Sequence, residues 1–448
     1  MEETGKRQTL YYLGLNLLTK ASTYALLLVF ANLFSVPSYG EVAFAMTLLG
    51  LLPYLIYPGT QMLLIPLFVK RGDTSSLFWG FLSLSALAAA VGFLLFQGRD
   101  WLVLLLLLIP VGFLYMFFRA LLRARHAYHW IQVSDALLQF IYLAMAVLLH
   151  SMDKLGLTLA YALAYAASTA FVVWMCRGAL KELRFRLDAD AIKSYVPKGL
   201  AASALLFSVD ILGRSDSFLL GMLSSFTDVA RYNVAFTLSD IVLVIPLVIS
   251  MFLLTRSSEL DEKASRPVFL RCVRLSFSLS LLCAIALCAL VQPLLAIAFS
   301  RYADTGILVL ALSAGLLFYS AYYLNFTYQS GRFRPESIVL PFVLAAGAKI
   351  VLDFLLVPQA GALGMALATL AVGAGLFIAA PPQGFPRRAT AFALVSPAFL
   401  VPSFVFGAWG LLLLPFAVLF VFKTGLLEKA DVEAVSSVLR QFLPARRS

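Results

Sequence analysis

The chain has 448 residues, 62% of them hydrophobic and 13% charged, with a formal net charge of +11 and a mean hydropathy of +0.92. A water-soluble domain is about 45–50% apolar and about 25% charged. The composition therefore excludes a soluble globular protein and describes one that crosses a membrane many times.

About 20 apolar residues cross a hydrocarbon core of roughly 30 Å. By that measure the spans fall at residues 10–34, 41–69, 76–96, 101–122, 127–150, 155–176, 199–224, 229–254, 267–298, 304–328, 336–357, 362–380, 389–406 and 408–425, about 14 in all. In lipid each segment must satisfy its own backbone polar groups, and none of these alternates as a barrel strand does, so every span is expected to be helical. The first runs too long, and without a small-residue cleavage site, to be a removable signal peptide. The last two share a turn at Gly407 and read either as two spans or as a re-entrant pair.

Lys and Arg are retained on the cytoplasmic side. With the N-terminus inside, 27 of the 34 basic residues fall at the inner loops and tails, Arg119, Arg123 and Arg125 among them. The outer loops hold Arg99, Lys154 and Arg301, while Lys20, Arg214, Arg231 and Lys349 are left over. The expectation is a multi-pass protein of the cell (inner or plasma) membrane with both termini cytoplasmic. The same asymmetry accounts for the net charge with no nucleic acid partner.

Other signals are thin. Cys176, Cys272, Cys283 and Cys288 show no CxxC spacing, so neither disulfides nor a metal site is indicated. His126 and His129 stand beside Arg123 and Arg125 in an inner turn, where a solvated or lipid-phosphate-facing role outweighs metal ligation. Asn325-Phe326-Thr327 has the form of a glycosylation acceptor but lies inside an apolar span.

The longest polar interruption, RGALKELRFRLDADAIKSYVPK at residues 177–198, is amphipathic enough to lie along the cytoplasmic interface. It divides the chain into an N-terminal six-helix lobe (1–176), this linker, a C-terminal six-helix lobe (199–380), a further helix pair (381–425) and an amphipathic cytoplasmic tail (426–448). An offset of 190 sets LFSVPSYGEVAFAMTL at 33–48 on LSSFTDVARYNVAFTL at 223–238, matching Leu33, Ser35, Ala45, Thr47 and Leu48 with Leu223, Ser225, Ala235, Thr237 and Leu238. A duplication with an even number of helices per half gives parallel repeats.

DSFLLGMLSSFTDVARYNVAFTLSDIVLVIP resembles the seventh-to-eighth helix region of Wzx-type polysaccharide flippases of the multidrug/oligosaccharidyl-lipid/polysaccharide (MOP) exporter superfamily. LVPQAGALGMALATL resembles the same family's turn before its twelfth helix, YQSGRFRPESIVLPFVLAAGAKIVLDFLLVP the preceding helix pair, and LLEKADVEAVSSVLRQFLP the amphipathic ending of many members. The resemblance implies a MATE/MurJ-like all-α fold, two lobes in a V, and export of undecaprenyl- or dolichyl-diphosphate-linked sugars for surface polysaccharide such as O-antigen. It implies as partners a lipid-linked oligosaccharide, membrane lipids and polysaccharide assembly proteins. Lys349 and Asp353 depart from the family pattern, in which the eleventh helix is often uncharged.

The candidate site is the set of charges inside the spans: Lys20, Asp210, Arg214, Asp216, Asp240, Lys349 and Asp353. Such a charge at the bilayer centre costs about 2.5–3.5 kcal/mol on insertion scales, so each should face protein or a wet cavity. One reading is architectural, since Asp210 with Arg214 and Lys349 with Asp353 are each four apart and can neutralise one another along a helix. The other is a hydrated substrate site in which Lys20 and Arg214 meet a diphosphate while the acids balance charge or bind a coupling H+ or Na+. Tyr319, Tyr322, Tyr323 and Tyr328 offer sugar-stacking surface, interfacial anchors or core packing. No catalytic constellation and no cofactor motif stands out. A glycosyltransferase or polymerase would need a large acidic extramembrane loop, whereas the longest interior loop is basic. A cation-coupled MATE-like exporter and a lipid II flippase remain the rivals within the superfamily.

Overall fold

The computed structural model describes residues 2–69, 74–95, 100–125, 127–180, 183–211, 216–259, 262–331, 336–379 and 387–427. These residues are almost entirely helical. In chain order the helices are α1 (Glu2–Leu33), α2 (Val36–Leu51), α3 (Pro53–Ile56), α4 (Thr60–Val69), α5 (Ser75–Leu95), α6 (Asp100–Leu106), α7 (Leu108–Ala124), α8 (Tyr128–Leu148), α9 (Asp153–Met175) and α10 (Arg177–Leu180). There follow α11 (Ala189–Ile211), α12 (Asp216–Leu223), α13 (Phe226–Ser239), α14 (Ile241–Glu259), α15 (Glu262–Ala298), α16 (Gly306–Gly331), α17 (Glu336–Ala379), α18 (Arg387–Val395), α19 (Leu400–Val405) and α20 (Leu414–Lys423).

Among the described residues eight helices are long and apolar enough to cross a membrane, or nine if α13 and the start of α14, bent by 52° at Asp240, count as one span. The fourteen apolar segments of the sequence correspond to these and to shorter or broken helices. Segment 41–69 is interrupted at Pro53 and again at Gly59, whose φ is +72°. Segments 336–357 and 362–380 form the single long α17, turned at Gly361 (φ 54°, ψ −130°). The last two segments are short helices that meet at Gly407, φ +56°.

Packing divides the chain into two compact units, Met1–Met222 and Leu223–Ser448. Sequence composition and packing differ over residues 199–222, which follow the polar linker yet pack with the first unit. The reason is local: the Gly59 amide donates to Ser203 Oγ at 2.9 Å, Tyr54 meets Phe207 edge to face at 5.9 Å, and Gly199 lies against the Pro58 carbonyl. In the linker itself, Trp79 Nε1 donates to the Arg184 carbonyl at 3.2 Å and its ring meets Phe185 at 5.2 Å.

Each unit is built around one enclosed helix. In the first it is α7, whose Phe113, Phe117 and Phe118 interlock with Phe78 of α5 and Phe68 of α4. In the second it is α16, buried along most of its length among α13, α14, α15 and α17. Many buried hydroxyls, which lipid would leave unsatisfied, bond to their own helix or to a neighbour. Ser168 donates to the Ser134 carbonyl at 3.0 Å, and Ser280 to the Val242 carbonyl at 2.7 Å.

The repeat persists in three dimensions. Ser35 and Ser225, 190 positions apart, both cap their helices, accepting from the amides of Ser38 and Asp228. Glu41 and Arg231, also 190 apart, both hold ion pairs at 2.8 Å, with Lys154 and Asp304 respectively. Ser38 donates to Asp153, which turns the chain into α9 with φ 48° and ψ −129°. Gly361 turns α17 with nearly the same angles, beside the Asp228 carboxylate. The two units thus use one turn geometry, with the carboxylate moved from the turn to the facing helix.

Candidate functional site

The seven candidate charges divide between the units. Lys20 stands on α1, partly exposed, and Asp216 opens α12, 1% exposed. Arg214 and the Asp210 side chain lie outside the described residues. Asp240 sits at the bend between α13 and α14, its amide donating to the Phe236 carbonyl at 2.8 Å. Serines fasten that bend to α16, with Ser239 donating to the Val309 carbonyl at 3.3 Å and Ser313 to Ser239 at 3.4 Å.

Lys349 and Asp353 do meet. On the first half of α17 the Nζ lies 3.2 and 3.1 Å from the two carboxylate oxygens, and 3.4 Å from Met365 Sδ beyond the Gly361 turn. Both side chains are closed off from the surface, at 1% and 0% exposure. An ion pair removed this far from water survives only when each charge satisfies the other, as four-residue spacing permits on a helix.

The tyrosines of α16 are drawn into packing. Tyr322 donates to the Leu376 carbonyl at 2.6 Å, and Tyr328 stacks on Phe269 at 4.4 Å with its hydroxyl 3.2 Å from Ser265. Tyr319 and Tyr323 are half-buried.

Sequence reasoning missed a second ion pair inside the helices, a partly exposed one. Arg119, counted there with the inner loops, lies inside α7, where its guanidinium grips Asp135 of α8 with Nη1–Oδ1 and Nη2–Oδ2 distances of 2.9 Å. Tyr115 donates to the same carboxylate at 2.9 Å and lies under the guanidinium, 5.0 Å from ring centre to Cζ. The signal available was Asp135 itself, an acid well inside the apolar segment 127–150.

No family model matches the sequence, and no curated protein matches it. Solved structures do match in fold. The lipid II flippase MurJ in its inward closed conformation aligns over 93% of this chain and 98% of its own, at 13% identity and a TM-score of 0.73. An inward-facing multidrug resistance MATE family transporter of the MOP superfamily aligns over 91% and 98%, at 13% identity and a TM-score of 0.60. The chain is thus a multi-pass membrane protein with the fold shared by MurJ and MATE transporters.

Proposed function

We propose that the chain is a transporter, not an enzyme, that moves a prenyl-diphosphate-linked oligosaccharide from the cytoplasmic to the outer leaflet. The headgroup is exposed to one side of the membrane at a time while the prenyl tail stays in lipid. One observation carries this reading: the likeness to a flippase named for a lipid-linked substrate extends over 93% of the chain. Basic groups inside apolar spans, Lys20 and Arg214 first, supply the charge an anionic headgroup needs. Coupling to H+ or Na+ falls to the acids of the same spans. The MATE match supports a second reading, a cation-coupled exporter, and MurJ itself supports lipid II as cargo.

Proteoliposomes holding the purified chain separate these readings. A fluorescent prenyl-diphosphate oligosaccharide should become accessible to an impermeant quencher faster than in empty vesicles. Movement of organic cations alone, or sugar transfer from a nucleotide donor by this chain, would overturn the proposal. Lys20→Arg should keep more transport than Lys20→Gln. Arg214→Ala should abolish transport at nearly normal protein level, whereas recovery in Asp210→Asn with Arg214→Gln would assign that pair to architecture.

The accompanying topology has both termini and residues 177–198 in the cytoplasm. A single cysteine at residue 190 of a Cys-less variant should resist an impermeant thiol reagent in intact cells and react after permeabilisation. Labelling in intact cells would reverse the map.

A further inference from the structure

The Arg119–Asp135 pair belongs to neither repeat turn nor to the charges singled out by sequence. Arg119 stands five residues before the end of α7 and Asp135 seven residues after the start of α8. At about 1.5 Å per residue, both lie roughly 8–10 Å inside their helices.

The pair is not sealed, since the Arg119 side chain is 17% exposed and that of Asp135 is 26% exposed. Tyr161 and Tyr165 of α9 are half-buried beside it, with Tyr165 5.2 Å from Tyr115 and 5.5 Å from Tyr161 between ring centres. Charge that reaches the surface within a membrane-spanning helix must meet water or a polar ligand rather than acyl chains. In addition, Arg119 Nε is buried with no hydrogen-bond partner among the described residues. Arginine carries five N–H donors in a fixed fork, and a buried donor left unmade is unfavourable. The guanidinium therefore has capacity for one more acceptor than Asp135 supplies.

We infer that Arg119 is a binding point for the phosphate oxygens of an anionic lipid headgroup, with Asp135 holding the guanidinium as an internal stand-in until the ligand arrives. Carboxylate and phosphate present the same bidentate face to arginine, and phosphate has a further oxygen for Nε. When the fork changes partners, the Asp135 carboxylate keeps the O–H of Tyr115, which already donates to it. The exchange leaves no buried acid without a donor. The inference rests on the lipid-diphosphate reading of the chain and adds to it a specific contact in the first unit.

A plain structural clamp between α7 and α8 makes the opposite prediction for Asp135, which gives the test its sign. The full chain in phosphatidylcholine nanodiscs is titrated with farnesyl diphosphate and with inorganic diphosphate, following the thermal midpoint as a function of ligand concentration. The wild-type chain should show a saturable rise. Response to both probes assigns recognition to the diphosphate alone, and response to farnesyl diphosphate alone assigns it to the lipid-borne headgroup.

Arg119→Gln should lose the response, and Arg119→Lys should bind about tenfold more weakly, the scale of one charge-assisted hydrogen bond. Asp135→Asn should bind about threefold or more tightly, because the competing carboxylate no longer occupies the fork. Should Arg119→Gln fail to fold, the Lys and Asn variants carry the test. An Asp135→Asn variant with unchanged or weaker affinity would overturn the inference, as would an Arg119→Gln variant that binds like wild type. A wild-type chain that binds neither probe would instead overturn the lipid-diphosphate reading on which the inference depends.

Discussion

Lys349→Met should lower the stability of the purified chain by about 3–5 kcal/mol, and Asp353→Leu by a similar amount, while the double substitution should restore most of what either loses. The reason is the geometry of the first half of α17. The ammonium touches both carboxylate oxygens at 3.1–3.2 Å, and neither side chain reaches the surface. Removing one partner strands a charge in a place that neither water nor headgroups enter. Replacing both with apolar side chains of comparable volume removes the cost together with the attraction. A double variant that restores most of either loss implies a coupling larger than either single loss, so the cycle is readable as strong non-additivity in the thermal midpoint of the detergent-solubilised chain. Additive losses would mean that the two charges do not stabilise one another. The same double variant decides their role in transport. If it is stable and still moves lipid-linked substrate, the pair belongs to the architecture. If it is stable and inactive, the two charges belong to the transport machinery.

The sequence was most readable where a single physical constraint dominates. Apolar runs near 20 residues declared helices because lipid permits little else. Gly407 marked a turn for the same backbone reason that the structure shows, whereas the interruption of 41–69 at Pro53 and Gly59 went unread. The serine caps were visible in the matched Ser35 and Ser225, although their capping role was not. Less readable was anything that depends on which helices become neighbours. Asp240 was seen as a deep charge, but nothing in SDIVLVIP announced a 52° bend there. Arg119 was hidden by its position near a cluster of loop arginines, and only the juxtaposition of α7 and α8 shows it to be an internal partner of Asp135. The matching turns at Asp153 and Gly361 escaped a fixed offset of 190, because loops of different length have moved them to a separation of 208. Length changes between repeats erase sequence register while leaving the turn geometry intact.

Those turns carry the other large expected effect. Gly156→Ala and Gly364→Ala should each leave little correctly folded chain, whereas Gly347→Ala and Gly375→Ala should be neutral or slightly stabilising. In the first turn a Cβ at Gly156 would stand 2.0 Å from the Leu149 carbonyl oxygen, three residues after the left-handed Asp153. In the second, a Cβ at Gly364 would stand 2.3 Å from the Leu356 carbonyl oxygen, three residues after the left-handed Gly361. The Gly407 turn follows the same rule, with Gly410 against the Ser403 carbonyl at 2.5 Å. Each obstructing atom is backbone at the end of the preceding helix, so relief requires the helices to part. That would expose apolar packing along their whole length. Gly347 and Gly375 lie in the same α17 and a Cβ there meets nothing within 4 Å. At such open helical positions alanine is favoured over glycine by roughly 0.5–1 kcal/mol. One substitution type, made four times, should therefore give opposite results according to backbone approach alone. Size-exclusion profiles of fluorescent-protein fusions in detergent read the outcome: aggregated or absent peaks for Gly156→Ala and Gly364→Ala, and monodisperse peaks for the other two. A monodisperse Gly364→Ala of wild-type thermal midpoint would show that the α17 turn does not need the close approach that its glycine allows.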